Sequence, residues 1–490
     1  MTPNEFYSVP FLYDSLKNSR HASICGSQSE LPQDAAQGLN RRPAPPLVVD
    51  VPGSKSITNR ALLLATLADG VSTLRGALFS DDSRHFLKCI QDLGFETTVD
   101  EPAKLITIKG LGGKIPLSEA NQYVGSAGTA ARFLTAYLGL SNGVYHMDAS
   151  EQMRRRPMAP LLDSLKELGC EILYGENSQN DGNGTEGHFP FTLKGHGFQK
   201  DRISVNIDSS SQFLSALMIV SCLSKEPFTV YIEGTHGMAY INITQKMMEQ
   251  FGVTAAPLYY CSGNTANHSC IGCVNSTRPM GYRTEAGQSY NALDYQIEPD
   301  VSAACYFYAM SPLLNVPVRV NNVHFDSLQG DVEFIRILEQ MGCTAADTPQ
   351  GIVVEPPADG HFHGVTADMS ACSDQAITLA AIAPFADSPT TINGIGHIRF
   401  QESDRLSAIW TELGKMGIVC EKTESSLTIH PGCPKPSTVE TYDDHRMAMG
   451  FSLTGLRAEG IVIANPGCCR KTFENYIEVL DCVAETIKQF

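Results

Sequence analysis

The sequence predicts an α/β protein assembled from repeats, and three observations carry that expectation. An amphipathic helical pattern closed by glycine returns at Phe86–Gly94, Leu161–Gly169, Gln245–Gly252, Phe334–Gly342 and Ile409–Gly417, and glycine is the residue that stops a helix in the left-handed conformation. A second helix, rich in Ala, Ser and Leu and polar at its start, begins near Ser54, Ser126, Ser209, Val301, Cys372 and Asp443. Strand-like runs such as Leu105–Ile108, Val230–Ile232, Ile352–Val354, Leu427–Ile429 and Ile461–Ile463 fill the intervals. Six repeats of two helices plus strands follow, and Tyr476–Leu480 closes the sixth without a glycine. A unit of this size cannot bury its own apolar face, so the repeats must pack in groups. Helices apolar all round should be buried on every side.

Composition narrows the function. The 490 residues carry 36 basic and 53 acidic side chains, a net charge of −17, which argues against nucleic acid or an acidic membrane surface as partner. Apolar residues make up 42%, with no run of transmembrane length. The first residues lack the basic stretch and apolar core of a signal peptide. Fifteen cysteines scattered along the chain read as reduced, structural thiols, and a cytoplasmic location is expected. Cys270 and Cys273 near His268 form a lone CxxC with no second pair at metal-ligand spacing, so no metal is expected. Residues 1–44 lack periodicity and read as a mobile N-terminal extension. Residues 257–291 read as a polar insertion that lengthens the third repeat.

The chemistry-bearing residues fall at helix starts and strand ends. In Val51-Pro-Gly-Ser-Lys-Ser-Ile-Thr-Asn-Arg60 a strand turns into a helix, leaving unpaired N–H groups beside Lys55, Ser56 and Arg60, an arrangement suited to an anion. The stretch lacks the GxxxxGK[ST] pattern of a Walker loop. Its plain alternative is a junction capped by Ser54 or Ser56 with a solvated Lys and Arg. Arg154-Arg155-Arg156-Pro157 is expected to hold arginines at a helix N-terminus, where planar guanidinium groups suit phosphate or carboxylate. Asp374 opens a helix, where its modest role would be a charge favourable to the dipole. Gln401-Glu-Ser-Asp-Arg405, Asp443-Asp-His-Arg446 and Arg470-Lys471 supply further charged heads.

On these residues, in their joint order, the sequence resembles the 5-enolpyruvylshikimate-3-phosphate synthase (3-phosphoshikimate 1-carboxyvinyltransferase) family. The residues that carry the resemblance are Pro52–Arg60, Ala127-Gly-Thr129 with Arg132, Arg156-Pro157, Ser210-Ser-Gln212, Asp300, Asp374, Glu402 with Asp404-Arg405, Asp444-His-Arg-Met-Ala-Met449 and Lys471-Thr-Phe473, spread over residues 45–490. The resemblance implies a two-lobed, inverted α/β barrel-like fold with three repeats per lobe. Residues 45–54 would belong with 299–490 and residues 55–298 would form the other lobe, with ligands in a closing cleft. It implies transfer of the enolpyruvyl group of phosphoenolpyruvate to the 5-hydroxyl of shikimate 3-phosphate, with release of phosphate, in chorismate and aromatic amino acid biosynthesis. No cofactor or metal is implied, glyphosate would compete with phosphoenolpyruvate, and the chain would act as a cytoplasmic monomer.

Carried over residue by residue, the resemblance assigns Lys55, Ser56, Arg60, Ser210, Ser211, Gln212, Tyr240, Asp374, His397 and Gln401 to shikimate 3-phosphate. It assigns Lys55, Ser126, Gly128, Thr129, Arg156, Gln212, Arg405, Arg446 and Lys471 to phosphoenolpyruvate. Asp374, Glu402, Lys55 and His445 would be catalytic, with Asp374 the base at the 5-hydroxyl and Glu402 the partner in proton transfer at the methylene carbon. Gln401 stands where many members carry lysine, His397 where they carry asparagine and Gly237 where they carry serine, changes expected to bear on substrate affinity. Ser126 for asparagine and Phe133 for proline are milder departures.

Two other readings compete. UDP-N-acetylglucosamine enolpyruvyl transferases share the fold and phosphoenolpyruvate, but use Lys-Asn where this chain has Lys55-Ser56 and carry a loop cysteine absent from Ala149–Arg156. A non-catalytic sensor of phosphorylated metabolites would need cations more than the acid/base groups Asp374, Glu402 and His445.

Overall fold

A single pairing rule generates the sheets: one parallel neighbour, then antiparallel ones. It is seen in a computed structural model describing residues 5–12, 45–175, 185–234, 237–260, 269–271 and 278–489. The chain divides into two compact lobes, Pro52–Glu298 and Met1–Val51 with Pro299–Phe490.

In Pro52–Glu298, Asp294–Gln296 runs parallel to Asp69–Arg75, which pairs antiparallel with Leu105–Leu111 and that with Thr97–Asp100. Glu119–Tyr123, Asn142–Asp148, Phe191–His196 and Glu171–Leu173 repeat the order. Arg202–Asn206, Phe228–Glu233, Gly281–Thr284 and Ala255–Tyr260 repeat it again, with Ser269–Ile271 added at the edge.

The other lobe follows the same rule. Leu47–Val49 is parallel to Val318–Val320, followed by Gly351–Glu355 and Thr344–Thr348. Thr366–Asp368, Thr390–Asn393, Leu427–Ile429 and Cys420–Lys422 form the next sheet. In the last, Ser437–Val439 runs parallel to Ile461–Ala464, and the antiparallel third position is taken by Phe6–Ser8.

Residues 5–12 therefore correct the expectation that the whole N-terminal stretch is mobile. Among the described residues the sixth repeat supplies no antiparallel strand of its own beside Ile461–Ala464, and an unpaired edge must be covered. Val9 N–H donates to Ile461 O at 3.1 Å and Leu12 N–H to Leu456 O at 3.0 Å, while Val9 and Leu12 are buried in the core. The rest of the expected extension, residues 1–4 and 13–44, lies outside the described residues. The expected insertion is also narrower than 257–291: Gly281–Thr284 is an interior strand between Phe228–Glu233 and Ala255–Tyr260, because its backbone completes both ladders. Residues 261–268 and 272–277, with the CxxC cysteine Cys273 and His268, lie outside the described residues.

The glycine stops form as expected. Gly94, Gly169, Gly252, Gly342 and Gly417 have φ of 89°, 102°, 94°, 107° and 80°, a region where any side chain is strained. The amphipathic helices behave as the pattern requires: Glu333–Gln340 buries Phe334, Ile335, Ile337 and Leu338 and exposes Glu333 and Arg336. The small-residue helices are buried all round, including every residue of Gly128–Gly139 and all but Arg457 of His445–Arg457.

Burial raises Cys89, Cys170, Cys222 and Cys343 to about 12, which keeps these thiols inert. Cys433 is an exception to the reduced-thiol reading. It is disulfide-bonded and exposed in the irregular segment Pro431–Pro434, without the burial that raises Cys89, Cys170, Cys222 and Cys343. Among the described residues no helix is long and apolar enough to cross a membrane.

Candidate active site

Within Pro52–Glu298 the anion-suited stretch folds as a helix, Lys55–Leu67, whose cap is Ser54: its Oγ accepts from Ile57 N–H at 3.4 Å. Lys55 Nζ lies 3.8 Å from the carboxylate of Asp82, a buried residue at the start of helix Asp81–Asp92. Arg60 is 2% exposed, and its burial has a purpose visible in its bonds. Nε donates to Thr244 Oγ1 at 2.8 Å, Nη1 to Ser56 O at 3.0 Å and Nη2 to Tyr240 O at 3.0 Å. One guanidinium thus ties Ser56 to Tyr240 on helix Met238–Gln250, with the ring of Phe133 5.4 Å away. Burial lowers Arg60 to about 10, so it stays charged at neutral pH.

A second group gathers at the start of Gly128–Gly139. A Cβ on Gly128 would sit 2.7 Å from Nη1 of Arg156 and 2.8 Å from Nη1 of Arg132, so glycine is what lets two guanidinium groups approach this backbone. Arg132 donates to Gly128 O at 3.1 Å and Pro157 O at 3.3 Å. Ser126 is half-buried in the preceding turn. Thr129 Oγ1 accepts from Gln212 Nε2 at 3.3 Å, and Ser210 Oγ from Gln212 N–H at 3.2 Å. Ser211 immediately precedes helix Gln212–Val220. Gly237 has φ of 73°, and a Cβ there would meet Ser211 Cβ and Oγ at 2.5 Å, so this backbone excludes a serine at 237.

The arginine run needs correcting. Arg154–Arg156 do not stand at a helix N-terminus: Arg154 ends a single turn, Glu151–Arg154, Arg155 and Arg156 follow it, and the next helix starts at Ala159 with Pro160 in its first turn. Pro157 lies in the connection. Arg154 is held by Asp148 at 2.8 Å, and Arg155 pairs with exposed Glu151.

The other lobe holds a denser cluster, built on Arg405 at the first position of helix Arg405–Lys415. Its Nη1 reaches Asp374 Oδ1 at 2.9 Å and the side-chain Oε1 of Gln401, Nη2 reaches Glu402 Oε2 at 2.9 Å, and Nε reaches Asp444 Oδ2 at 2.8 Å. Burial alone would lower this guanidinium, but Asp444, Glu402 and Asp374 more than offset it and hold it above its ordinary range. Arg446 Nη2 donates to Asp374 Oδ2 at 2.6 Å, and Nη1 to Tyr306 Oη at 3.3 Å. Lys471, at the end of the turn Pro466–Lys471, lies 3.4 Å from Glu402 Oε1.

Asp374 and Glu402 are thus each shared by two cations: Arg405 with Arg446, and Arg405 with Lys471. Asp374 sits inside the short turn Ser373–Gln375, not at its cap, so it is more than a dipole partner. His397 Nε2 and Ser373 Oγ are 2.8 Å apart, which brings His397 to the same turn from one side. His445 is fully buried, with Asp444 at 3.8 Å.

Sequence reasoning left Asp82, Thr244, Tyr306 and the acceptor role of Asp444 unassigned. Asp444 stood in the quoted Asp443–Arg446 run, but its pairing spans 39 residues to Arg405 and has no local signal.

Two lobes of three such repeats, with two carboxylates set among cations, define an enolpyruvyl transferase fold. The structure superposes on an EPSP synthase from Acinetobacter baumannii with a TM-score of 0.69, 23% identity and coverage of 89% of this chain and 95% of that one. It also superposes on the enolpyruvyl transferase NikO from Streptomyces tendae with a TM-score of 0.65, 15% identity and coverage of 91% and 95%. The family model for EPSP synthase (3-phosphoshikimate 1-carboxyvinyltransferase) matches residues 47–260 and 272–480. A 3-phosphoshikimate 1-carboxyvinyltransferase of Trichormus variabilis is 40% identical over 429 residues, 87% of this chain and 94% of that protein. The chain belongs to the EPSP synthase family.

Proposed function

We propose that this chain transfers the enolpyruvyl group of phosphoenolpyruvate to the 5-hydroxyl of shikimate 3-phosphate, as a cytoplasmic monomer of the shikimate pathway, with its residues in the following roles. Lys55, Ser56, Arg60, Ser210, Ser211, Gln212, Tyr240, His397 and Gln401 hold shikimate 3-phosphate. Lys55, Ser126, Gly128, Thr129, Arg156, Gln212, Arg405, Arg446 and Lys471 hold phosphoenolpyruvate. Bidentate guanidinium groups match its carboxylate and phosphate.

In this reading Asp374 takes the 5-hydroxyl proton as the oxygen adds to the second carbon of phosphoenolpyruvate. Glu402 takes part in protonating the methylene carbon. The tetrahedral intermediate then loses phosphate and a methyl proton, restoring the double bond, while the cations stabilise the departing charge. The observation that carries the reading is the sharing of Asp374 and Glu402 by Arg405, with Arg446 and Lys471 on their outer sides. A sensor would need the cations alone. Phosphate release from phosphoenolpyruvate, with shikimate 3-phosphate and then the UDP-sugar as acceptor, tests it. Release with the first alone is expected, and release only with the second would overturn it.

A further inference from the structure

Behind Asp374 lies a buried carboxyl that the reaction as described does not use. Asp331 belongs to the turn Gly330–Val332 and is 4% exposed. Its Oδ2 accepts from the Ser302 hydroxyl, and its Oδ1 accepts from Gln375 Nε2 at 3.3 Å. Gln375 immediately follows Asp374 and is fully buried. The same Nε2 lies 3.4 Å from Ser302 O, Thr378 Oγ1 donates to Gln375 Oε1 at 2.9 Å, and Gln375 N–H donates to Cys372 O at 2.9 Å. The turn Ser373–Gln375 is therefore fixed from both sides: Arg405 and Arg446 grip Asp374, and Asp331 grips Gln375.

We infer that Asp331 is a positioning residue for Asp374, acting through the Gln375 amide to set where the Asp374 carboxylate stands. The inference rests on the reading of Asp374 as the base. Core packing alone does not call for a carboxyl at position 331: burying one is costly, and an apolar side chain would fill the space without that cost. Burial, then the nearby Asp374 carboxylate, push Asp331 up to about 6, with Arg446 and the Ser302 hydroxyl pulling it down and Asp300 pushing it further up. The groups facing it are thus Asp374, Arg446, Asp300, Ser302 and Gln375, with the Cys305 thiol on its backbone carbonyl at 3.4 Å.

Asp331→Ala removes the acceptor that Gln375 Nε2 meets at 3.3 Å. Gln375→Leu cuts the same link from the other end and leaves Asp331 in place. Each should lower kcat by about 10- to 100-fold, the loss that about an ångström of misplacement brings, with KM for phosphoenolpyruvate changed less than threefold. In the Asp374→Asn background either change should cost less than threefold more, because groups acting through one another are non-additive. A purely structural Asp331 would lower the melting temperature, leave kcat per folded molecule within twofold, and add fully in the double variant; that result overturns the inference. If Asp374→Asn alone keeps wild-type kcat, the reading of Asp374 as base fails first. If it loses activity while both Asp331→Ala and Gln375→Leu keep theirs, only the positioning role fails.

Discussion

Asp374 and Arg446 meet at 2.6 Å, and the other oxygen of the same carboxylate rests on Arg405 at 2.9 Å. A carboxylate held by two guanidinium groups is fixed in direction as well as in charge. Arg446→Gln should therefore act mainly on ligand binding. Loss of one charge-assisted contact, about 1.5–3 kcal/mol, should raise KM for phosphoenolpyruvate by roughly 10- to 100-fold, with the smaller effect on kcat. Steady-state kinetics at saturating shikimate 3-phosphate reads this, and an unchanged KM would remove Arg446 from the binding site.

Gly128→Ala tests the approach of the arginines. The added Cβ would lie at 2.7 and 2.8 Å from the ends of Arg156 and Arg132, which are flexible and can move. The fold should persist with a melting temperature near wild type, while KM for phosphoenolpyruvate rises as Arg156 is displaced. Glyphosate inhibition should weaken further still. Equal inhibition of the two proteins would show that nothing binds beside Gly128.

Lys55→Met removes a cation from the start of a helix, where its Nζ lies 3.8 Å from Asp82. Activity should be lost while circular dichroism and melting stay close to wild type. A solvated lysine would instead change turnover less than about twofold, as most surface substitutions do.

The strand Phe6–Ser8 makes a claim about stability rather than chemistry. Leu12, fully buried beyond its end, should cost about 2–5 kcal/mol when changed to Ala, seen as a lower urea midpoint. Activity per folded molecule should be untouched. An unaltered midpoint would mean that residues 5–12 do not stay on the sheet in solution.

How much of this was legible is clearest at particular residues. The glycine stops were, because a left-handed helix end demands one residue type: Gly94, Gly169, Gly252, Gly342 and Gly417 all have positive φ. The all-apolar helices were legible for the same local reason. Phe6–Ser8 was not: three residues give no alternation to detect, and their pairing partner lies more than 450 positions away. Gly281–Thr284 was hidden in a polar stretch, since its place in the sheet depends on two neighbours and not on its own composition. Arg154–Arg156 misled because Pro157 suggested a helix start that Pro160 in fact supplies. Asp82, Tyr306 and Asp331 had no local signal, because their contacts with Lys55, Arg446 and Gln375 join segments apart in the chain.

Asp331 also predicts a pH dependence. Its carboxyl is raised from 3.8 to about 6 in the fold, so it contributes stability below about 3.8 that is lost as pH rises through about 6. Asp331→Asn does not titrate. The stability of wild type relative to this variant should fall between pH 4 and 6 and level off above. A difference that stays flat across that window would show Asp331 to be unshifted.

Proton abstraction from the hydroxyl by Asp374 is read from kcat of Asp374→Asn. Asn is nearly isosteric and can keep a hydrogen bond to Arg405 or Arg446, but it cannot accept the proton. If Asp374 is the base, kcat should fall on the order of 10²–10⁴, the usual worth of a positioned acid or base, with phosphoenolpyruvate binding little changed. A kcat within threefold of wild type would contradict it and leave Glu402 to explain both proton transfers.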